Sequence, residues 1–325
     1  MSDKHVKPDR NLALELVRTT EAAAIAAARF MGRGDKNQAD QAAVDAMRHM
    51  LSGVEMDGLV VIGEGEKDEA PMLFNGEHIG NGQPPHTDVA VDPVDGTTLT
   101  AQGQAGAIAV IAVADRGSMF DPGPFFYMDK IAVGPQGVGV VDLNLSVAEN
   151  ITALAKALGK PPCDITAVVL ERPRHEELIA EIRATSARIS LIKDGDVAGA
   201  IAAASPDSGI DILFGIGGTP EAVITAAALK AMGGDLQGRL WFENDKEKQQ
   251  AVELGYDTEK VLQLDDLITS DNSFFAATGI TSGDLLNGVK FDSGRITTNS
   301  LVMRARSGTV RLIEGHHRPA KFEDQ

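Results

Sequence analysis

The chain has one cysteine, Cys163, in 325 residues. A single thiol excludes an internal disulfide and a thiolate zinc cluster, and it fits a reducing compartment. Long apolar runs are also missing. Nothing approaches the roughly 18 apolar residues that a membrane span needs, and residues 1–10 are charged where a secretory signal would be apolar. A cytoplasmic protein without membrane attachment is expected. Basic residues are in deficit: 30 Lys and Arg stand against 47 Asp and Glu, a formal charge of −17. A field of that sign repels polyanions and argues against nucleic acid as a partner. It leaves room for a small anionic substrate if a few basic residues or bound cations recruit it. Aromatics make up 4%; Trp241 and Phe242 read as core or subunit-contact side chains, and no stacking platform is evident. There is no low-complexity tract and no repeat of fixed period.

What is present is a globular composition, 43% hydrophobic and 24% charged, on a chain long enough to bury a large core. Residues 11–31 and 39–51 carry apolar positions at helical spacing. Residues 59–62, 89–91 and 107–114 are apolar runs that read as strands. After residue 144 strands and helices alternate: 166–170, a helix from His175, 189–193, a helix from Asp196, 210–214, and a helix over 220–232. That alternation predicts an α/β layer. Further strands are expected at 296–303 and 309–313. The chain divides into 1–150, an N-terminal subdomain carrying the acidic strand ends, and 151–325, a C-terminal α/β subdomain whose last strands return to the first half.

The acidic strand ends carry the chemistry. Asp92-Pro93-Val94-Asp95-Gly96-Thr97 follows the run 89–91. Pro93 and Gly96 suit a tight turn that aims two carboxylates into one space, a pair of hard oxygen donors suited to Mg2+ or Mn2+; an ordinary Asp-rich turn is the alternative. Gly63-Glu64-Gly65-Glu66-Lys67-Asp68-Glu69 ends an earlier strand, and carboxylates packed so densely repel unless a cation separates them; a solvated charge run is the other reading. In Gly32-Arg33-Gly34-Asp35-Lys36-Asn37-Gln38-Ala39-Asp40 a glycine-rich loop enters a helix, where Asp40 is either a ligand or a first-turn acid. Gly215-Ile216-Gly217-Gly218-Thr219-Pro220-Glu221 runs from a strand into a helix beginning at Pro220. It lacks the full dinucleotide-loop glycine spacing. Arg172 and Arg174, after the run 166–170, form a candidate two-arginine phosphate clamp; two exposed helix-flanking arginines are the other reading. Asp194 and Asp196 flank Gly195 as hydroxyl acceptors or plain turn residues. His316 and His317 point apart on a strand and make a poor metal pair.

Together these strings resemble the class II fructose-1,6-bisphosphatases of the lithium-sensitive phosphatase superfamily. The likeness runs from residue 11 to about 317. It includes Gly-Arg-Gly-Asp-Lys-Asn at 32–37, Ile-Gly-Glu-Gly-Glu at 62–66, Asp-Glu-Ala-Pro-Met at 68–72 and Asp-Pro-Val-Asp-Gly-Thr at 92–97. Further on come Pro-Arg-His at 173–175, Asp-Gly-Asp at 194–196, Gly-Ile-Gly-Gly-Thr-Pro-Glu at 215–221 and Ser-Asp-Asn at 270–272. The resemblance implies a layered α/β/α/β/α fold and two or more Mg2+ or Mn2+ ions on Asp40, Glu64, Asp92, Asp95 and Glu221. It implies substrate contacts from Asp95, Gly96, Thr97, Tyr127, Arg172, Pro173, Arg174, Asp194, Gly195, Asp196 and Gly218. It also implies that Thr97, oriented by Asp68 and assisted by Lys36, positions the attacking water. Some members carry Glu where this chain has Asp95. The Trp-Asp pair of the inositol-phosphatase relatives is replaced here by Thr219-Pro220-Glu221.

The expected activity is hydrolysis of the 1-phosphate of fructose 1,6-bisphosphate in gluconeogenesis, with sedoheptulose 1,7-bisphosphate as a second candidate substrate. The alternatives are an inositol or nucleotide monoester phosphatase and a metal-binding regulator without turnover. A homo-oligomer, dimer or tetramer, is expected from the family.

Overall fold

The computed structural model describes residues 12–63 and 73–319. Helices α1 (Ala13–Ala28) and α2 (Lys36–Leu51) come first. The Asp35 side chain accepts a hydrogen bond from the Gln38 backbone N–H, so α2 begins three residues before its apolar pattern does. Strands β1 (Asp57–Ile62), β2 (His78–Ile79) and β3 (His86–Asp95) follow, then α3 (Thr97–Gln102) and β4 (Ile108–Asp115).

The next elements build a second sheet. They are β5 (Tyr127–Val133), α4 (Val147–Leu158), β6 (Thr166–Leu170), α5 (Glu176–Ala184), β7 (Arg188–Ile192), α6 (Asp196–Ala204), β8 (Ile212–Gly218), α7 (Thr219–Met232) and β9 (Asp235–Trp241). After α8 (Asp245–Glu253) and α9 (Leu264–Leu267), the strands β10 (Phe274–Gly279), β11 (Lys290–Asp292), β12 (Arg295–Arg304) and β13 (Thr309–His317) complete the chain.

The first sheet runs β2-β1-β3-β4-β10-β12, with β11 and β13 both paired to β12; the second runs β7-β6-β8-β5-β9. Sheet membership crosses residue 150 in both directions, because β5 belongs to the second sheet and β10 to β13 to the first.

Three apolar clusters define the layers. Leu16, Met47, Val89 and Ile111 pack α1 and α2 on the outer face of the first sheet. Ile108, Phe275, Val197, Ile224 and Met128 fill the space between the sheets around α6 and α7. Ile151, Ile182, Val169 and Phe214 bury α4 and α5 against the far face of the second sheet. The result is the five-layer α/β/α/β/α arrangement, each sheet hydrophobic on both faces because each is covered on both.

Strands β5 and β9 are among the elements that the sequence pattern does not expose, as are β2, β10 and β11. β5 reads Tyr-Met-Asp-Lys-Ile-Ala-Val, and its Lys130 occupies a core position at 4% exposure. A charge there hides the strand, and its partner is found only in the fold.

Candidate functional site

The parallel strands β1 and β3 both end on one side of the first sheet. Pro93 cannot donate to a ladder, and the register between β3 and β4 breaks between Asp92 and Asp95. The Val94 N–H turns instead to Asp92 Oδ1 at 3.0 Å. Gly96 then takes φ 100°, where a side chain would press on Leu99 and Ala107, and leads directly into α3. The Thr97 hydroxyl donates to the Val94 carbonyl at 3.2 Å.

The glycine-rich loop before α2 is stitched to α3 by Gly32 N–H to Thr100 O at 2.9 Å and Gly34 N–H to Ala101 O at 2.8 Å. That docking carries the Lys36 ammonium to 2.8 Å from the Thr98 hydroxyl, one residue beyond Thr97. Asp40 is half-buried on α2, and burial raises its carboxyl above the ordinary range. Glu64, expected as a ligand, and Asp68, expected to orient water, lie outside the described residues.

The second sheet presents its own strand ends. β6, β7 and β8 run parallel, so the segments after them, 171–174, 193–196 and the glycines up to 218, share one edge. Ligands of open α/β sheets bind at such carboxyl ends. β5 runs antiparallel to β8 and sets Tyr127 opposite Gly218.

The Arg174 guanidinium lies over the Tyr127 ring, 4.8 Å from its centroid, and donates to Ile216 O at 2.9 Å. Tyr127 is braced edge-on by Trp241 at 5.8 Å and Phe126 at 5.0 Å. Arg172 is held differently: it donates to Lys193 O at 2.5 Å and stands 3.6 Å from Asp194 Oδ1. It ties the ends of β6 and β7 together, and Asp194 offsets part of its charge.

His175 locks this edge. Its Nε2 accepts from the Ile216 N–H at 2.8 Å, and its Nδ1 lies 2.7 Å from Leu170 O. An amide can only donate and a carbonyl only accept, so the ring is neutral with its proton on Nδ1. Burial pushes its pKa below the ordinary value of 6.5. A depressed histidine stabilises the fold fully above that value. As pH falls through it, the unfolded chain binds a proton that the folded one refuses. The melting-temperature advantage of the parent over His175→Gln is therefore expected to shrink between about pH 7.5 and pH 5. A pH-independent difference would remove His175 as a titrating lock.

The two sheets meet at their acids. Gly195 packs against Asp95, a Cβ there standing 3.8 Å from Asp95 Oδ2. Asp95 is 4% exposed, and its carboxyl is held well above the usual range, first by burial and then by repulsion from Asp196, Glu221 and Asp194. Glu221, in the first turn of α7, folds back over Gly218 and is pushed up to about 7, again by burial first. Asp95 Oδ2 and Glu221 Oε2 are buried without a hydrogen-bond partner.

Two orphaned, mutually repelling carboxylate oxygens fit a hard divalent cation that prefers oxygen donors. Among the described residues no three Asp, Glu, His or Cys side chains converge on one point. A cavity of about 610 Å³ borders Asp194 and Gly195, but Ile192, Leu286 and Leu301 among its walls do not suit a phosphate ester.

Other expected features lie elsewhere. Ser270 and Asn272 clasp Asp115 at 2.6 and 2.9 Å, at the end of β4 away from Ile108, the residue paired with Asp95. His316 faces Glu314 at 3.2 Å, whereas His317 reaches Thr298 at 2.9 Å. Cys163 is exposed. Among the described residues no helix is long and apolar enough to cross a membrane. Sequence reasoning missed Thr98 as the Lys36 partner and Lys130 beneath Asp196, because neither pairing has a local signal.

Comparison with known proteins places the chain in a family. The family described as bacterial fructose-1,6-bisphosphatase, glpX-encoded, matches residues 10–317. Fructose-1,6-bisphosphatase 1 class 2 of Escherichia coli K12 is 47% identical over 321 residues, 95% of each chain. Fructose-1,6-bisphosphatase class 2 of Shigella flexneri matches to the same extent. Among solved structures, the extragenic suppressor protein suhB of Bartonella henselae aligns with a TM-score of 0.32 at 17% identity, over 60% of this chain and 74% of its own. A score that low relates no feature of the two folds. By the extent of the family match and by identity over almost its whole length, this chain belongs to the glpX-encoded, class 2 fructose-1,6-bisphosphatase family.

Proposed function

We propose that the protein hydrolyses the 1-phosphate of fructose 1,6-bisphosphate to fructose 6-phosphate and phosphate, in gluconeogenesis, with two or more Mg2+ or Mn2+ ions as cofactor. The relatives' names support the substrate. The observation that carries the metal dependence is the pair of buried, unpartnered oxygens of Asp95 and Glu221.

Asp40, Glu64, Asp92, Asp95 and Glu221 are the proposed ligands. When bound, the cations supply charge neutralisation for the phosphoryl group and acidify water. Thr97 holds the water through its hydroxyl, with Asp68 as its orienting acid, and Lys36 adds positive charge beside it from its anchor on Thr98. Gly96 and Gly218 keep the backbone open to the ester, and Pro173 and Gly195 shape the loops around the sugar. Asp194 and Asp196 accept hydrogen bonds from its hydroxyls.

Arg174 is the principal ligand of the distal phosphate, because Arg172 is already engaged by Asp194. Arg174→Ala is expected to raise KM for the bisphosphate about tenfold or more with kcat little changed, since it removes a charge-assisted contact made equally in ground and transition states. A parental KM would place the clamp elsewhere.

The direct test is phosphate release from fructose 1,6-bisphosphate with Mn2+, with Mg2+ and with chelator, beside sedoheptulose 1,7-bisphosphate and inositol 1-phosphate. Metal-dependent release from the sugar bisphosphates alone is expected. Release from inositol 1-phosphate alone would overturn the substrate assignment, and metal binding without release would favour a regulator.

A further inference from the structure

Beneath the acids lies a buried cation that the proposed chemistry leaves without a role. Lys130, in the middle of β5, is 4% exposed, and its ammonium donates to Asp196 Oδ2 at 2.5 Å and to Gly218 O at 3.0 Å. A buried ion pair is weak ground for stability, because apolar side chains of the same volume usually serve a core as well. This pair joins two segments that reach the site from different strands, the 194–196 turn after β7 and the glycine end of β8. The backbone makes room for it. A Cβ on Gly217 would overlap Asp196 Oδ2 and stand 2.8 Å from the Lys130 ammonium. Asp95 and Glu221 both feel the charges of Asp196, Asp194 and Lys130, so Asp196 stands among other carboxylates with Lys130 as its counter-charge.

We propose that Lys130 is a positioning residue for the sugar: by gripping Asp196 Oδ2 and the Gly218 carbonyl it holds the other Asp196 oxygen in place to accept a sugar hydroxyl. The inference rests on the reading of Asp196 as a sugar contact. Lys130 itself does not touch the substrate. Without it, Asp196 is pushed by its acidic neighbours and has no partner fixing its rotamer.

The test uses metal-free protein and calorimetric titration with fructose 6-phosphate and, separately, inorganic phosphate. Lys130→Met is expected to weaken fructose 6-phosphate binding about tenfold while phosphate binding stays within about twofold of the parent, since only the sugar contact depends on Asp196. Gly217→Ala, which displaces the pair without removing a charge, is expected to show the same selective loss and carries the test if Lys130→Met does not fold. Lys130→Met combined with Asp196→Asn is expected to be no weaker than either single variant, because the two act as one unit.

Undiminished sugar-phosphate binding by a folded variant, or equal losses for both ligands, would overturn the role. A parent that binds fructose 6-phosphate selectively yet releases no phosphate from the bisphosphate would fail the catalytic reading alone and leave the positioning role standing.

Discussion

Replacing Glu221 by glutamine is expected to abolish metal-dependent phosphate release and, in the presence of chelator, to raise the melting temperature. Both effects come from the same carboxylate. Burial, then repulsion from Asp196, lifts the Glu221 pKa to about 7, with Lys130 opposing. A carboxylate raised in the folded state costs no stability below its unfolded value of 4.5. The cost grows as pH climbs from there towards the folded value, because the unfolded chain ionises more readily. Glutamine removes that cost, so the gain is expected near neutral pH and vanishes towards the unfolded pKa. For a chain of this size each kcal/mol moves Tm by about 2 °C, so a gain of a few degrees is the scale expected.

With Mn2+ or Mg2+ present the order reverses. Ligand binding to the native state stabilises the parent by mass action, whereas the variant has lost one of its oxygen donors. Metal affinity is expected to fall about a hundredfold or more, beyond what loss of an outer-shell partner costs. Thermal unfolding with and without metal, read beside phosphate release, separates the two effects. A metal-induced rise in Tm equal to the parent's would take Glu221 out of the ligand set.

How far the fold could be read in advance depended on where each element's partners lie. β6 occupies the residues that its apolar run marks, because a fully buried parallel strand writes itself as a continuous Thr-Ala-Val-Val-Leu string. α7 begins one residue before the Pro220 that announces it. β5 and β9 escaped because their character is set across the sheet. Lys130 is tolerable in β5 only through Asp196, 66 residues away, and Gly238 in β9 faces Met128.

The site divides in the same way. The turn chemistry of Pro93 and Gly96 was local and legible. The engagement of Arg172 by Asp194, the neutral tautomer of His175 and the attachment of Lys36 to Thr98 all depend on segments distant in sequence that meet only in the fold. The acidic strings announced a metal site by composition. The isolation of one oxygen on Asp95 and one on Glu221 is a property of burial alone.

Thr97→Ala is the counterpart of the Glu221 variant: kcat is expected to fall about a hundredfold or more, the range for loss of a positioned proton-transfer group, while metal binding is retained. The Thr97 hydroxyl contributes one hydrogen bond to the structure, to the Val94 carbonyl at 3.2 Å. Its removal costs about 1 kcal/mol, too little to unfold the chain. The turn that aims Asp92 and Asp95 is held by the Asp92 to Val94 bond, by Gly96 and by the stitching of α3 to the Gly32 loop, none of which uses that hydroxyl. The metal-induced rise in Tm and the KM for the bisphosphate are therefore expected to match the parent's.

Thr97→Ser, which restores the hydroxyl, is expected to recover most of the rate. Thr98→Ala should cost less than Thr97→Ala, because it releases Lys36 from its anchor without touching the proposed water. Parental turnover in Thr97→Ala would remove the residue from the chemistry. Loss of the metal-induced Tm rise would make it a support of the ligand set and not the residue that holds the water.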